Sequence, residues 1–330
     1  MQFLRLGAVA LTALGVAALL PATTQADDAG KLQLDPTLKS YTKVSEKISG
    51  NLNSVGSDTM NNLMTYWGEE FARVYPGVRI QVEGKGSSTA PPALIEGVSQ
   101  FGPMSRKMKS RELDDFEKKF GYKPTHLRTS LDALAVFVHR DNPLKSLSLA
   151  QVDGMFSSSR KRGGKELSTW GQLGLTGAWA KRAVNLYGRN AASGTYGYFK
   201  KVALKKGDYS NRVKEQPGSA GVVQGITEDK YAIGYSGIGY KTSGVRALPL
   251  STKDGGKFYE ASYANVMSEA YPLGRFLNLY INKAPSKAMD PLVREFCKFI
   301  FSKQGQQVVL KAGFLPLTEK ICVKERAKLL

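Results

Sequence analysis

The sequence predicts an α/β fold with largely parallel sheets, and three observations carry that prediction. From Leu52 onward, a short apolar strand, a loop of Gly, Ser and Thr, and an amphipathic helix recur in that order. The helical stretches space their apolar residues by three and four, as a single buried face requires. The chain has 330 residues, the first 26 of which read as a removable leader, so about 300 remain, enough for two domains of ordinary size.

The elements follow in order. Leu52 to Val55 is a strand that runs into Gly56-Ser57-Asp58-Thr59 and then a helix with Met60, Leu63, Met64, Trp67, Phe71 and Val74 on one face. That helix stops before Pro76-Gly77. Val78 to Val82 alternates as a strand does, and the loop Gly84 to Thr89 leads to a helix whose first turn suits Pro91 and Pro92. Phe101 to Arg106 is a further loop, after which Ser110 caps a helix through Phe120. Leu131 to His139 is a buried strand that crosses between domains, and Leu147 to Phe156 a short helix. Arg160 to Lys165 is an exposed basic turn. Ala183 to Tyr187 is a strand feeding the loop Gly188 to Thr195, with a helix through Lys206 behind it. Ala232 to Tyr235 and Val245 to Leu250 are later strands, and Pro291 to Ala312 one long helix.

The first 26 residues have the layout of a secretory signal peptide. Arg5 supplies the charged start, Leu6 to Leu20 the apolar core, and Thr24-Gln25-Ala26 the small-residue cut before Asp27-Asp28. The apolar core is shorter than the roughly 20 residues of a membrane span, and no cysteine near the cut would take a lipid. Residues 27–49 form a polar leader. Export would put Cys297 and Cys322 in an oxidising space, where they either pair or remain two buried thiols. His126 and His139 have no ligand-like spacing to the cysteines, so neither a metal nor another cofactor is expected. The net charge of +19 attracts anions. The basic residues are dispersed and no nucleic-acid motif accompanies them, so specific nucleic-acid binding is not expected.

Three loops, at 56–59, 84–89 and 188–195, share one feature: glycines and hydroxyl residues stand where a strand becomes a helix. A helix start offers unpaired N–H groups and partial positive charge, glycine admits a close approach, and hydroxyls add short donors. Such a place suits a tetrahedral oxyanion. Arg189 adds a fork that can hold two oxygens at once, unless it is an ordinary solvated loop residue.

Gly86-Ser87-Ser88, Phe101-Gly102 and Arg189-Asn190-Ala191-Ala192-Ser193-Gly194-Thr195 resemble the PstS-like phosphate-binding proteins of bacterial high-affinity phosphate ABC transporters. Leu147 to Phe156, Ser168-Thr169-Trp170-Gly171 and Tyr231 to Tyr235 are similar too, so the resemblance covers roughly residues 50–320. It implies a type II periplasmic-binding-protein fold: two α/β lobes joined by two crossing strands, with a ligand cleft between them. Lobe I would comprise residues 50–132 with 256–330, and lobe II residues 133–255. The resemblance implies phosphate contacts from Ser57, Asp58, Thr59, Ser87, Arg189, Ser193, Gly194 and Thr195; Ser88, Ser105 and Arg106 in the same loops are further candidate phosphate contacts. It implies a periplasmic or secreted monomer that serves a permease in the inner membrane.

The sequence departs from the family where an aspartate usually follows Phe-Gly to accept the proton of bound phosphate; here that position is Ser105. An acceptor-only carboxylate is how such a pocket prefers protonated phosphate to sulfate. Asp58 is the candidate replacement, the alternative being a plain helix N-cap. Arg106 offers a second cation or points away, and Lys85 is a weaker case of the same kind. Rival readings are a binder of another oxyanion such as sulfate or molybdate, an adhesion or nucleic-acid module using the basic surface, and a phosphatase-like enzyme. The enzyme would need a nucleophile with a base, or a metal, and Ser193 is not in a Gly-x-Ser-x-Gly elbow.

Overall fold

The computed structural model describes residues 34–285 and 287–330, so the signal peptide and the start of the leader lie outside the described residues. The strands are β1 (Gly50–Val55), β2 (Val78–Glu83), β3 (Phe101–Met104), β4 (Thr125–His139), β5 (Leu147–Ser148), β6 (Asn185–Arg189), β7 (Val213–Gln216), β8 (Ala232–Gly237), β9 (Val245–Ala247), β10 (Leu250–Ser251) and β11 (Gly274–Ile281). The helices are α1 (Asn61–Val74), α2 (Ala90–Ile95), α3 (Ser110–Phe120), α4 (Leu149–Phe156), α5 (Gly194–Val202), α6 (Ser219–Glu228), α7 (Tyr263–Met267), α8 (Pro291–Ile300), α9 (Lys303–Lys311) and α10 (Glu319–Arg326).

Strand order is β2-β1-β3-β11-β4-β8-β6-β7, with β9 also on β4 and a separate β10-β5 pair. The parallel pairs are β1 with β2 and β3, β6 with β7 and β8, and β10 with β5; the antiparallel pairs gather on β4 and β11. β4 is the spine of the two-lobed fold. Its residues Thr125 to Ala133 pair with β11, and Leu134 to Val138 pair with β8. The chain returns beside that changeover, where the Leu134 N–H donates to the Leu273 carbonyl at 3.0 Å. From Ala133 to Val138 every side chain is fully buried, which explains the unbroken apolar run in the sequence.

In the first lobe α1 buries Leu63, Met64, Trp67 and Phe71, the face its spacing predicts. Phe71 meets the rings of Phe296 and Phe299 edge-on at 5.3 and 5.5 Å. The buried Trp67 Nε1–H donates to the Gly305 carbonyl at 2.8 Å, so the indole leaves no unpaired donor in the core. In the second lobe Phe199 stacks on Tyr235 at 3.9 Å between ring centres.

The structure corrects several expectations. The long C-terminal helix is two, α8 and α9: Ser302 caps α9 by accepting from the Gly305 N–H at 3.2 Å, and a cap ends one helix as it starts the next. Lys109, not Ser110, is the N-cap of α3, and its N–H is taken by the Glu112 carboxylate at 2.8 Å. α5 ends at Val202, because Lys205 and Lys206 adopt the left-handed region. The leader is not wholly polar surface where it is described, since Leu38 and Ile48 are buried in the core. Cys297 and Cys322 are both free and buried rather than paired. Burial pushes both thiols up, Cys322 to about 12, so they serve as small apolar side chains.

His126 yields a stability prediction. It stacks on Tyr280 at 4.8 Å and its Nε2 lies 2.7 Å from Asn278 Oδ1. Burial, aided by Lys328 and Lys107, lowers its pKa against the opposing pull of Asn278 and Glu325. The unfolded chain therefore binds a proton first as pH falls through about 6.5. His126 thus costs no stability above that pH and costs progressively more below it, down to its folded pKa. His126→Gln is expected to flatten the decline of melting temperature between pH 7 and 5; a slope identical to wild type refutes the assignment.

Candidate functional site

The three helix-start loops meet in one place between the lobes. β1 leads through Gly56 and Ser57 into a short 3-10 turn, Asp58–Met60, and then α1. The loop after β2 leads through Gly86 into the turn Ser87–Thr89 and then α2. β6 leads to Ser193, the N-cap of α5, whose Oγ accepts from the N–H groups of Thr195 and Tyr196 at 3.1 and 3.4 Å. Gly86 has φ 116°, where other residues are strained, and a Cβ on it would lie 2.6 Å from the Ala192 carbonyl. The loops therefore pass at backbone distance, and the Ser88 N–H donates to that carbonyl at 3.1 Å.

The hydroxyls converge across this meeting. Thr59 Oγ1 lies 2.9 Å from Thr195 Oγ1, Ser87 Oγ 3.3 Å from Ser105 Oγ, and the Thr195 hydroxyl 3.4 Å from Ser105 Oγ. The Ser105 N–H donates to Ser87 Oγ at 3.0 Å. Thr59, Ser87, Ser105, Ser193 and Thr195 are all buried. Ser57 is buried as well, and its Oγ has no hydrogen-bond partner among the described residues.

Arg189 is not a solvated loop residue: its side chain is 1% exposed. Nη1 donates to Ser219 Oγ at 2.7 Å and lies 3.0 Å from Asp58 Oδ1, while Nη2 donates to the Pro217 carbonyl at 2.8 Å. Nε–H is buried without a partner among the described residues. Burial lowers the guanidinium pKa, and the Asp58 carboxylate beside it opposes that. Asp58 does not cap its own turn. Its Oδ1 accepts from the Ser219 N–H at 2.7 Å and from the Ser219 hydroxyl at 2.8 Å, at the first turn of α6 in the other lobe. The Tyr240 hydroxyl donates to the Asp58 carbonyl at 2.9 Å.

Two candidates stand apart from this cluster. Arg106 turns onto Glu112 with two bonds of 2.7 and 2.6 Å, donates to the Lys107 carbonyl at 3.0 Å, and of the candidate site residues meets Ser88 Oγ, at 3.3 Å. Its charge is already met. Lys85 is exposed and paired with Glu83 at 2.8 Å. The sequence reading missed Ser219, Tyr240, Asp132 and Arg275. The last two form a buried ion pair at 2.7 Å beneath the hydroxyls. Pro217-Gly218-Ser219 is a recognisable helix-start signal, and an arginine among the leucines of β11 is the other clue.

A set of hydroxyl and amide donors around a buried guanidinium suits a small tetrahedral oxyanion. The buried Ser57 Oγ and Arg189 Nε–H are polar atoms that such a ligand would satisfy, and leaving each unpaired costs about 1–3 kcal/mol. The side-chain charges balance, Arg189 against Asp58 and Arg275 against Asp132. Among the described residues neither histidine is hydrogen-bonded to a cradle hydroxyl: His126 faces Asn278, and His139 lies 3.8 Å from Asp141.

The chain has counterparts among known proteins. Residues 42–304 match the model of the PBP superfamily domain. The phosphate-binding protein PstS of Pseudomonas aeruginosa is 56% identical over 292 residues, 88% of this chain and 90% of that protein. A substrate-binding protein of Clostridium perfringens, solved with bound phosphate, superimposes with a TM-score of 0.69 at 22% identity, over 82% of this chain and all of that one. An ABC-type phosphate transport receptor from Vibrio cholerae gives a TM-score of 0.62 at 19% identity, over 81% of this chain and all of that one. The last two establish the shared fold, and the first, with the domain match, settles the lineage: the chain belongs to the PBP superfamily and, within it, to the PstS family of phosphate-binding proteins.

Proposed function

We propose that this protein captures inorganic phosphate in the periplasm, as a monomer, and delivers it to an ABC-transporter permease in the inner membrane. Residues 50–132 with 256–330 would form lobe I and 133–255 lobe II, after removal of the signal peptide. The lobes sample open and closed forms, and phosphate stabilises the closed one. The carrying observation is the buried Arg189 Nε–H and Ser57 Oγ, unpaired among the described residues, within a cradle of helix starts from both lobes. Ser57, Thr59, Ser87, Ser105, Ser193, Gly194 and Thr195 supply donors and Arg189 supplies charge. Ser88 and Arg106 stand at the rim. The named relatives are binding proteins, which supports capture over catalysis.

Calorimetry with phosphate, sulfate and molybdate tests the reading. Binding of phosphate with little competition from the others supports it; tighter binding of another oxyanion moves the assignment to that anion. Absence of phosphate heat at micromolar protein overturns it, and phosphate release from monoesters by the purified protein would restore the enzyme reading.

Asp58 takes the place of the family aspartate as proton acceptor in this reading. Its Oδ1 is committed to Ser219 and Arg189, which leaves Oδ2 to receive the phosphate hydroxyl. Asp58→Asn is expected to weaken phosphate about tenfold to a hundredfold, the worth of one hydrogen bond to a charged group, and to let sulfate compete. Unchanged affinity together with unchanged selectivity removes Asp58 from the role.

A further inference from the structure

We propose that Arg275 is a positioning residue for the anion: it fixes the Thr195 hydroxyl as a donor and ties that hydroxyl to the spine strand β4. The inference rests on the phosphate reading above and assigns a new residue to the same site.

Arg275 stands at the start of β11, beside the point where β4 passes from one lobe to the other. Its side chain is 2% exposed, so every donor it carries must be met inside the protein. Nε donates to Asp132 Oδ2 at 2.9 Å, and Nη2 lies 2.7 Å from the same oxygen. Nη1 donates to the Ser105 carbonyl at 2.9 Å, and Nη2 to Thr195 Oγ1 at 3.0 Å. Asp132 on β4 is fully buried, and its Oδ1 accepts from the Ile238 N–H at 3.1 Å. One guanidinium thus holds the Ser105 loop of the first lobe, the start of α5 in the second, and the strand that joins them.

The direction of one of these bonds matters most. A guanidinium only donates. The Thr195 hydroxyl has one proton, and Arg275 occupies an acceptor site on its oxygen. That proton must therefore go to another oxygen, and Thr59 Oγ1, Ser105 Oγ or an oxygen of the bound anion are the candidates within the cradle. Arg275 takes one of the two acceptor sites on that oxygen; without it both are open to a ligand hydroxyl. With it, Thr195 is biased toward offering its proton to an unprotonated phosphate oxygen. Arg275 touches no ligand in this scheme and acts through Thr195 and Ser105.

A double-mutant cycle on phosphate affinity tests this, with wild type, Arg275→Lys, Thr195→Val and the double variant measured by calorimetry. Lysine keeps the charge that Asp132 needs but cannot form the same set of bonds. Each single change is expected to weaken phosphate about tenfold or more. The double variant should be no more than about threefold weaker than the worse single one, because both remove the same interaction. Losses that multiply overturn the inference, as does Arg275→Lys with wild-type affinity. A purely structural arginine would lower the ligand-free melting temperature without that coupling. If Arg275→Lys does not fold, Thr195→Ser against Thr195→Val decides with the arginine in place. Serine near wild-type affinity supports a hydroxyl held by Arg275, and serine as weak as valine refutes it. Failure of the wild type to bind phosphate overturns the phosphate reading and this inference with it; phosphate binding with multiplicative losses overturns this inference alone.

Discussion

Arg189→Met is expected to weaken phosphate binding by about a hundredfold or more while leaving the protein folded. Among the described residues the guanidinium keeps a buried N–H unspent; one hydrogen bond to a charged group is worth about 1.5–3 kcal/mol, and the lost attraction between the cation and the anion adds to it. Methionine fills the same channel and brings no new polar atom. Asp58 loses its ion partner but keeps the Ser219 N–H and hydroxyl, and it is 21% exposed, so water can reach it. Folding should therefore survive where affinity does not. Calorimetry for affinity and a ligand-free melting curve for folding make the test. A folded Arg189→Met that binds phosphate within threefold of wild type would remove Arg189 from the site.

Gly194→Ala should produce a loss of similar size by a different route. An added Cβ would lie 2.3 Å from Ser87 Oγ, 2.7 Å from Ser105 Oγ and 2.9 Å from Ser87 Cβ. On the proposed lobe division those atoms belong to the first lobe and Gly194 to the second, so the clash would arise only when the lobes meet. Overpacking of this kind costs about 1–3 kcal/mol or more, about fivefold to a hundredfold or more in affinity. The expected result is weak phosphate binding, a ligand-free melting temperature close to wild type, and no compaction by small-angle scattering when phosphate is added. Wild-type compaction would sink the argument. Gly56→Ala makes a useful contrast. Its Cβ would lie 2.3 Å from the Pro103 carbonyl, within one lobe, so that variant should lose stability whether or not the cleft closes.

What the sequence disclosed depended on the range of the interaction. The face of α1 and the helix starts at Ser57, Ser87 and Ser193 were readable because spacing and capping chemistry are local. Arg189 was readable because it stands four residues before Ser193. The partner of Asp58 was not, because Ser219 is 161 residues away and only the fold brings them together. Arg275 and Asp132 were missed for a related reason. Each sits in a strand whose neighbours are apolar, and the ion pair that lets both be buried exists only once β11 lies beside β4. Arg106 shows the converse. A cation in the right loop looked available, yet Glu112 on the first turn of α3 had already claimed it. How Cys297 and Cys322 stand was left open by the sequence and required coordinates.

Asp58 reaches Arg189 and Ser219 across the cleft, so one of the contacts that draws the two sides together runs through the charge that would bind the anion. The cradle's four charged side chains cancel, so cargo adds its own full negative charge to an otherwise neutral centre.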